Sequence, residues 1–118
     1  MMTISKEFHF SASHVLNGLP KNHPCSRLHG HNYILTVYLK GEPDEIGFVV
    51  DYRSLQPIKE FVDNVLDHKH LNEVFKCNTT VENMSKEIFW LFKKQFPSLS
   101  AVALSETQKT RCIYEPEN

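Results

Sequence analysis

Two long stretches of this chain alternate apolar and polar residues with a period of two, and that pattern constrains the fold more than any other feature. In residues 3–14, Ile4, Phe8, Phe10 and Ala12 share one parity, while Ser5, Glu7, His9, Ser11 and Ser13 take the other. Lys6 is the one polar residue on the apolar side before the end of the run. In residues 29–40, Tyr33, Leu35, Val37 and Leu39 share a parity, with Asn32, Thr36 and Lys40 opposite. Successive side chains of a strand point to opposite faces, so each run predicts a strand buried on one face only. His14 continues the apolar parity of the first run, and His29 and His31 open the second on its apolar parity.

The remaining segments predict how that face is covered. Asn17-Gly18, Pro20 and residues 22–24 mark a loop. A turn at residues 41–44 leads to Phe48-Val49-Val50, which reads as a short third strand in a hairpin with the second. A helix is expected over about residues 53–66, with Leu55, Ile58, Val62, Val65 and Leu66 on one face and Pro57 in the first turn, where its missing N–H costs little. Residues 67–72 end that element. A second helix is expected from Thr80, with Thr79 and Glu82 at capping-box spacing and Val81, Met84, Ile88, Leu91, Phe92 and Phe96 on one face. Residues 101–107 and 111–114 read as strands, and residues 115–118 as a frayed tail. The order β-β-β-α-α-β-β is an α+β domain spanning residues 1–118, with an antiparallel sheet and two helices on one face.

Composition narrows the function classes. Thirteen Lys+Arg against fourteen Asp+Glu give a net charge of −1, which offers no case for nucleic acid or an anionic membrane as the main partner. Charges at Lys6 and Glu7 precede any apolar run, so no signal peptide is expected. Cys25, Cys77 and Cys112 are odd in number and widely spaced, which suits a reducing cytoplasm rather than a disulfide framework.

Seven histidines remain, and their placement matters more than their number. His29 and His31, two apart on a strand, point to one face with Cα atoms about 6.6 Å apart. Two imidazoles that close can converge on a cation at metal–nitrogen distances of about 2.0–2.1 Å. His14, on the same apolar parity at the end of a neighbouring strand, supplies a third. A three-histidine set without a thiolate partner describes a catalytic zinc site with one open position. The alternative is three satisfied polar residues at strand ends. His9, His23 and His70 read as surface residues. Cys25, four residues before His29, sits in a polar loop where a lowered pKa would make it a base. Asp67-His68 pairs a carboxylate with an imidazole, as in a proton relay, or else decorates a helix C-terminus. Glu106 falls on the apolar parity of its strand. A buried carboxylate needs a partner, and a flat amidine-like group such as that of guanine or a pterin would suit it. A strand-end glutamate already in solvent is the alternative.

These residues resemble a known family. Cys25-Ser26-Arg27-Leu28-His29-Gly30-His31-Asn32-Tyr33, residues 51–55 (Asp-Tyr-Arg-Ser-Leu), residues 66–72 (Leu-Asp-His-Lys-His-Leu-Asn), Thr80-Val81-Glu82 and Glu106-Thr107 are together similar to the 6-pyruvoyltetrahydropterin synthase family. The short spacing from Cys25 to His29 resembles its 6-carboxy-5,6,7,8-tetrahydropterin synthase branch, which serves queuosine biosynthesis. The resemblance implies the tunnelling fold (T-fold), a four-stranded antiparallel sheet with two helices whose sheets join into a barrel across subunits. It implies a homohexamer built as a dimer of trimers, with active sites at subunit interfaces. It implies zinc on His14, His29 and His31, Cys25 as catalytic base, and Asp67 and His68 as the rest of the proton-transfer set. Glu106 matches the acid that anchors the pterin, and Thr80 and Glu82 match substrate-contacting positions. Val81 stands where animal-type members look to have a second threonine. The implied reaction converts 7,8-dihydroneopterin triphosphate to 6-carboxy-5,6,7,8-tetrahydropterin with release of acetaldehyde and triphosphate. The pyruvoyl-type synthase on the same substrate and a non-catalytic pterin or metal binder are the competing readings. Lys21, Arg27 and Lys109 are candidates for holding the triphosphate.

Overall fold

The computed structural model describes residues 1–117, so Asn118, at the end of the expected frayed tail, lies outside the described residues. Four strands form one antiparallel sheet in the order β1-β2-β3-β4: β1 Met2–His14, β2 His29–Gly41, β3 Leu99–Ser105 and β4 Cys112–Tyr114. The two alternating runs pair along their whole length, from Met2 opposite Gly41 to His14 opposite His29. Phe8, Phe10, Ala12, Tyr33, Leu35, Val37 and Leu39 are buried on the shared apolar face, as their parity requires. Lys6, the exception, lays its ammonium 5.5 Å from the centre of the Phe8 ring.

The third strand expected at Phe48–Val50 is absent, and the partner of β2 on its other side is β3. Asp44 is the reason. Its carboxylate accepts hydrogen bonds from the backbone N–H groups of Ile46, Gly47 and Phe48, and Gly47 takes a φ of +107° that a strand does not allow. The observed order is therefore two strands, a helical region and two strands. β3 is as long as expected but starts and ends two residues earlier, and β4 begins at Cys112, one residue later than expected.

The first helical body begins at Tyr52 and changes pitch twice: a 3-10 turn over Tyr52–Leu55, α1 over Gln56–Phe61, and a π turn over Val62–Leu66. Asp51 caps it by accepting from the Arg53 N–H at 2.9 Å. Leu55, Ile58, Val62 and Leu66 reach the core, but the widened last turn leaves Val65 exposed, against the helical-face expectation. The turn closes through an Asp67 N–H to Val62 C=O bond of 2.8 Å. Residues 68–70 then run along the outer edge of β1, with His68 N–H on the Ser11 carbonyl (2.7 Å) and Ser13 N–H on the Lys69 carbonyl (3.1 Å). A single-turn helix, α2 (Leu71–Val74), follows and was not legible as an element of its own.

Helix α3 spans Val81–Lys93, and its cap is Thr80, whose hydroxyl accepts from the Asn83 N–H; Thr79 turns inward instead. Phe89 rather than Leu91 joins Met84, Ile88 and Phe92 in the core. The first helical body, through its π turn Val62–Leu66 against β1, and α3, against β3 and β4, cover the apolar face, giving the expected α+β layering. The sheet does not close on itself. The first half of β1 and the outer side of β4 are free edges.

Two asparagines hold the chain beyond β1. Asn72 accepts from the Val15 N–H and donates to the Val15 carbonyl, both at 2.8 Å; Asn78 does the same to Asn17 at 2.9 and 3.0 Å. Each amide imitates a ladder partner, so the order of β1 continues past His14. Replacing Asn72 by Ala removes two hydrogen bonds, each contributing about 0.5–1.5 kcal/mol. We expect urea unfolding of the Asn72→Ala protein to show a stability loss of roughly 1–3 kcal/mol with an unchanged slope.

Candidate metal centre

Strand register converts the histidine spacing into a cluster. His14 and His29 are direct cross-strand partners, and His31 lies opposite Ala12 on the same face. β3 brings Ser105 opposite Ile34, so Glu106, one residue on, lies in the row of Tyr33 at the same end of the apolar face. The close approach of β1 and β2 depends on Gly30, where a Cβ would stand 3.2 Å from the Ala12 carbonyl oxygen.

His14, His29, His31 and Glu106 each offer a ligand atom, and these four atoms all lie within 4.8 Å of one another. The three imidazoles meet edge to face, with ring centres 4.5 to 5.2 Å apart. Backbone carbonyls set two of the rings. His14 Nδ1–H donates to the Thr79 carbonyl at 2.9 Å, and His29 Nδ1–H donates to the Arg27 carbonyl at 2.7 Å. That leaves each Nε2 as a lone pair aimed into the cluster, the arrangement found behind metal-bound histidines. Glu106 Oε2 lies 2.7 Å from His31 Nε2 and 3.8 Å from His14 Nε2. Neither Nε2 has an aligned hydrogen-bond partner, although both are shielded from solvent. Buried polar atoms left unpaired are costly, and a cation shared among the four donors removes that cost. Three imidazoles and one carboxylate suit zinc or another late first-row metal better than magnesium or calcium.

Burial is also the main electrostatic force on these rings. It lowers the pKa of His14 against the raising effects of the Thr79 carbonyl and Glu106, with His29 and His31 adding to the lowering, and it lowers that of His31 against the opposing pull of Glu106. The Tyr33 phenol, buried with its hydroxyl unpaired and edge-on to both His14 and His31, is held well above its usual range, first by burial and then by the Glu106 charge.

The other expected site residues fall around this core. Cys25 is half-buried in a 3-10 turn, Pro24–Ser26. Its carbonyl accepts from the Leu16 N–H at 3.0 Å, which ties the loop to the end of β1. Its own N–H donates to His23 Nδ1 at 3.1 Å, so His23 is a turn cap rather than an idle surface residue. Asp67 Oδ2 lies 2.9 Å from His68 Nδ1 at the outer edge of β1. Asp67 also accepts from the Ser11 N–H at 2.9 Å; this bond first, and then His68, hold its carboxyl below the usual range. His68 has a φ of +60°, which turns its exposed ring away from the helix it follows. With Ser11, Ser13, Asn32, His70 and also His31 of the four-donor group, it lines a cleft at this end of β1 and β2. His70, expected at the surface, is half-buried with Nδ1 2.9 Å from the Ser13 hydroxyl. Thr80 is occupied as the α3 cap and Glu82 is exposed on its first turn; neither joins the four-donor group. Thr79 is the residue that sequence reasoning placed wrongly. Fully buried, it offers His14 both its carbonyl and its hydroxyl. Its capping-box spacing pointed to the wrong one of two adjacent threonines.

The model of the family described as 6-pyruvoyl tetrahydropterin synthase matches residues 3–117. The chain belongs to that family. A 6-carboxy-5,6,7,8-tetrahydropterin synthase from Synechocystis sp. is 35% identical over 127 residues, covering 97% of this chain and 93% of the relative. A 6-pyruvoyl tetrahydrobiopterin synthase from Dictyostelium discoideum is 37% identical over 103 residues, covering 79% and 74%. The solved 6-pyruvoyl tetrahydropterin synthase of Caenorhabditis elegans superposes with a TM-score of 0.86 at 28% identity, covering 98% of this chain and 96% of that one. The expected tunnelling fold is therefore the fold of this family member, with its sheet open within one chain.

The lowered pKa values of His14 and His31 predict how the metal-free family member responds to acid. Both rings titrate below their unfolded value of 6.5, so protons bind the unfolded chain preferentially. Stability is fully present above about pH 6.5 and falls as the pH drops toward the depressed folded values. Urea unfolding at pH 7.5 and 5.5 should show a lower midpoint at pH 5.5, and a smaller difference in His14→Gln.

Proposed function

We propose that this pterin synthase is a 6-carboxy-5,6,7,8-tetrahydropterin synthase, acting on 7,8-dihydroneopterin triphosphate and releasing acetaldehyde and triphosphate. The observation that carries the reading is the convergence of buried His14 and half-buried His29, His31 and Glu106 on one point, with two Nε2 atoms unpaired. The spacing of Cys25 from His29-Gly30-His31 supports the carboxy-type product, as do relatives of that name matching nearly the whole chain. His14, His29 and His31 would hold zinc, which when bound supplies a Lewis acid for the substrate's side-chain oxygens and acidifies the adjacent C–H bond.

The remaining chemistry belongs to the chain's own groups. Cys25 as thiolate takes the proton from that carbon. His68 moves a proton at the opposite side, and Asp67, kept anionic by the Ser11 N–H, holds His68 Nδ1 and so presents Nε2. The Thr79 and Arg27 carbonyls keep the His14 and His29 rings in place during turnover. Glu106 accepts two N–H donors of the pterin's amidine edge, and Thr80 and Glu82 flank the substrate. His68 sits at the outer edge of β1 and the four-donor group gathers at the end of the apolar face, with His31 alone of the four also lining the cleft that His68 lines. Assembly into a homohexamer, through the free edges of β1 and β4, supplies a neighbour's residues to each site. The reaction belongs to cytoplasmic queuosine biosynthesis.

Incubation with 7,8-dihydroneopterin triphosphate should yield acetaldehyde and a 6-carboxy pterin in equal amounts. A pyruvoyl pterin without acetaldehyde would move the protein to the pyruvoyl-type activity, and pterin binding without triphosphate release would remove the enzyme reading. Cys25→Ala should keep zinc and pterin binding while turnover falls by about 10²–10⁴-fold; wild-type turnover in that variant would overturn its role as base. His29→Ala should lose zinc, measured by metal content after dialysis.

A further inference from the structure

We propose that Glu106 is the fourth ligand of the metal in the substrate-free protein, and that the arriving pterin takes this carboxylate away from the metal. The inference rests on the pterin-synthase reading above and adds a second, mutually exclusive place for one of its residues.

The geometry carries it. Glu106 Oε2 is as close to the histidine cluster as the histidines are to one another, 2.7 Å from His31 Nε2 and 3.8 Å from His14 Nε2. The His31–Glu106 contact is short but not aligned as a hydrogen bond, and His31 Nε2 has no other partner. His14 Nε2 cannot donate to Glu106, since the ring's proton is used at Nδ1 on the Thr79 carbonyl. Lone pairs on imidazole and carboxylate repel across so small a space. A proton would satisfy one pair among the four, whereas a cation at the centre satisfies all of them. Three imidazoles and one carboxylate complete a tetrahedral set, the coordination that closed zinc sites adopt.

A four-coordinate site has no open position for substrate oxygens, and release of one ligand restores it; the structure marks which. The ladder between β2 and β3 ends at Ile34 opposite Ser105. Glu106 lies one residue beyond it and is followed by the exposed turn of Thr107–Thr110, so its side chain can turn without breaking a ladder bond. His14 and His29 are anchored through Nδ1 and cannot. The carboxylate that an amidine edge would capture is therefore also the labile metal ligand. Its capture opens the fourth position and raises the formal charge of the centre by one as the substrate's oxygens arrive, which strengthens the Lewis acid only when substrate is present. Without substrate, the carboxylate keeps water from that position.

Cobalt(II) loading tests this without relying on turnover, because its visible absorption reports the ligand set. Metal affinity is measured by competition with a chelator, for the wild type, Glu106→Gln and Glu106→Asp, after thermal melting of the metal-free proteins has confirmed that they fold. We expect Glu106→Gln to bind cobalt and zinc about 10–100-fold more weakly with an altered cobalt spectrum, and Glu106→Asp to recover part of both. Neopterin, an oxidised pterin without the triphosphate, should shift the wild-type spectrum toward that of Glu106→Gln as its own fluorescence reports binding. Unchanged affinity and spectrum in Glu106→Gln would overturn the ligand assignment. Bound neopterin that leaves the wild-type spectrum unmoved would overturn the exchange. His29→Ala separates this failure from that of the underlying reading. If it loses cobalt while Glu106→Gln does not, the three-histidine centre stands and the Glu106 proposal falls. If it too retains cobalt, the metal reading itself falls.

Discussion

The pairing of His14 opposite His29 is the contact on which the rest of the site depends. It closes a ladder that begins at Met2 opposite Gly41, and every pair between them serves the same register. A slip of one residue would turn His14 onto the polar face and would also expose Phe8, Phe10 and Ala12. Burial of those side chains therefore holds the histidines in place, although they touch no substrate. At roughly 1.5–3 kcal/mol for each large apolar side chain, the core outweighs the cost of gathering unpaired imidazoles at the end of the same face.

That cost is visible. Three polar atoms around the cluster, His14 Nε2, His31 Nε2 and the Tyr33 hydroxyl, are buried without aligned hydrogen-bond partners. Elsewhere the protein satisfies its interior with care. Thr79 and Arg27 lend carbonyls to the imidazoles, and Asn72 and Asn78 clamp the backbone just beyond β1. Among the described residues these unpaired atoms gather at one end of the apolar face, where a cation would pair the two imidazole nitrogens, and the carbonyls behind His14 and His29 keep those two rings from turning. The same clamps order the chain leading to the Cys25 turn, so the thiol and the histidines are positioned by one continuous set of contacts.

The Asp67–His68 pair is built differently. Asp67 and His68 follow a π turn, and the left-handed conformation at His68 directs its ring out of the helical path. Ser11 and Ser13 of β1 hold residues 67–70 through the strand's outer edge. The remainder of that edge and the outer side of β4 stay open.

Much of this was legible in the chain itself, because period-two alternation is a direct record of strand faces. Residues 3–14 and 29–40 specified two strands and put His14, His29 and His31 on the buried side, and the parity of Val102, Leu104 and Glu106 placed the carboxylate there too. The helices were legible from their apolar faces, with errors where local chemistry overrode the pattern. Asp44 and Gly47 made a capped loop where Phe48–Val50 looked like a strand, and a π turn rotated Val65 outward. Periodicity records which side of an element is buried, and nothing more. Only tertiary structure decided that β2 pairs with β3, that Thr79 rather than Thr80 reaches His14, and that Glu106 meets the imidazoles. Those are contacts between segments up to 92 residues apart, from His14 to Glu106, set by how separate faces pack together rather than by any local order in the chain.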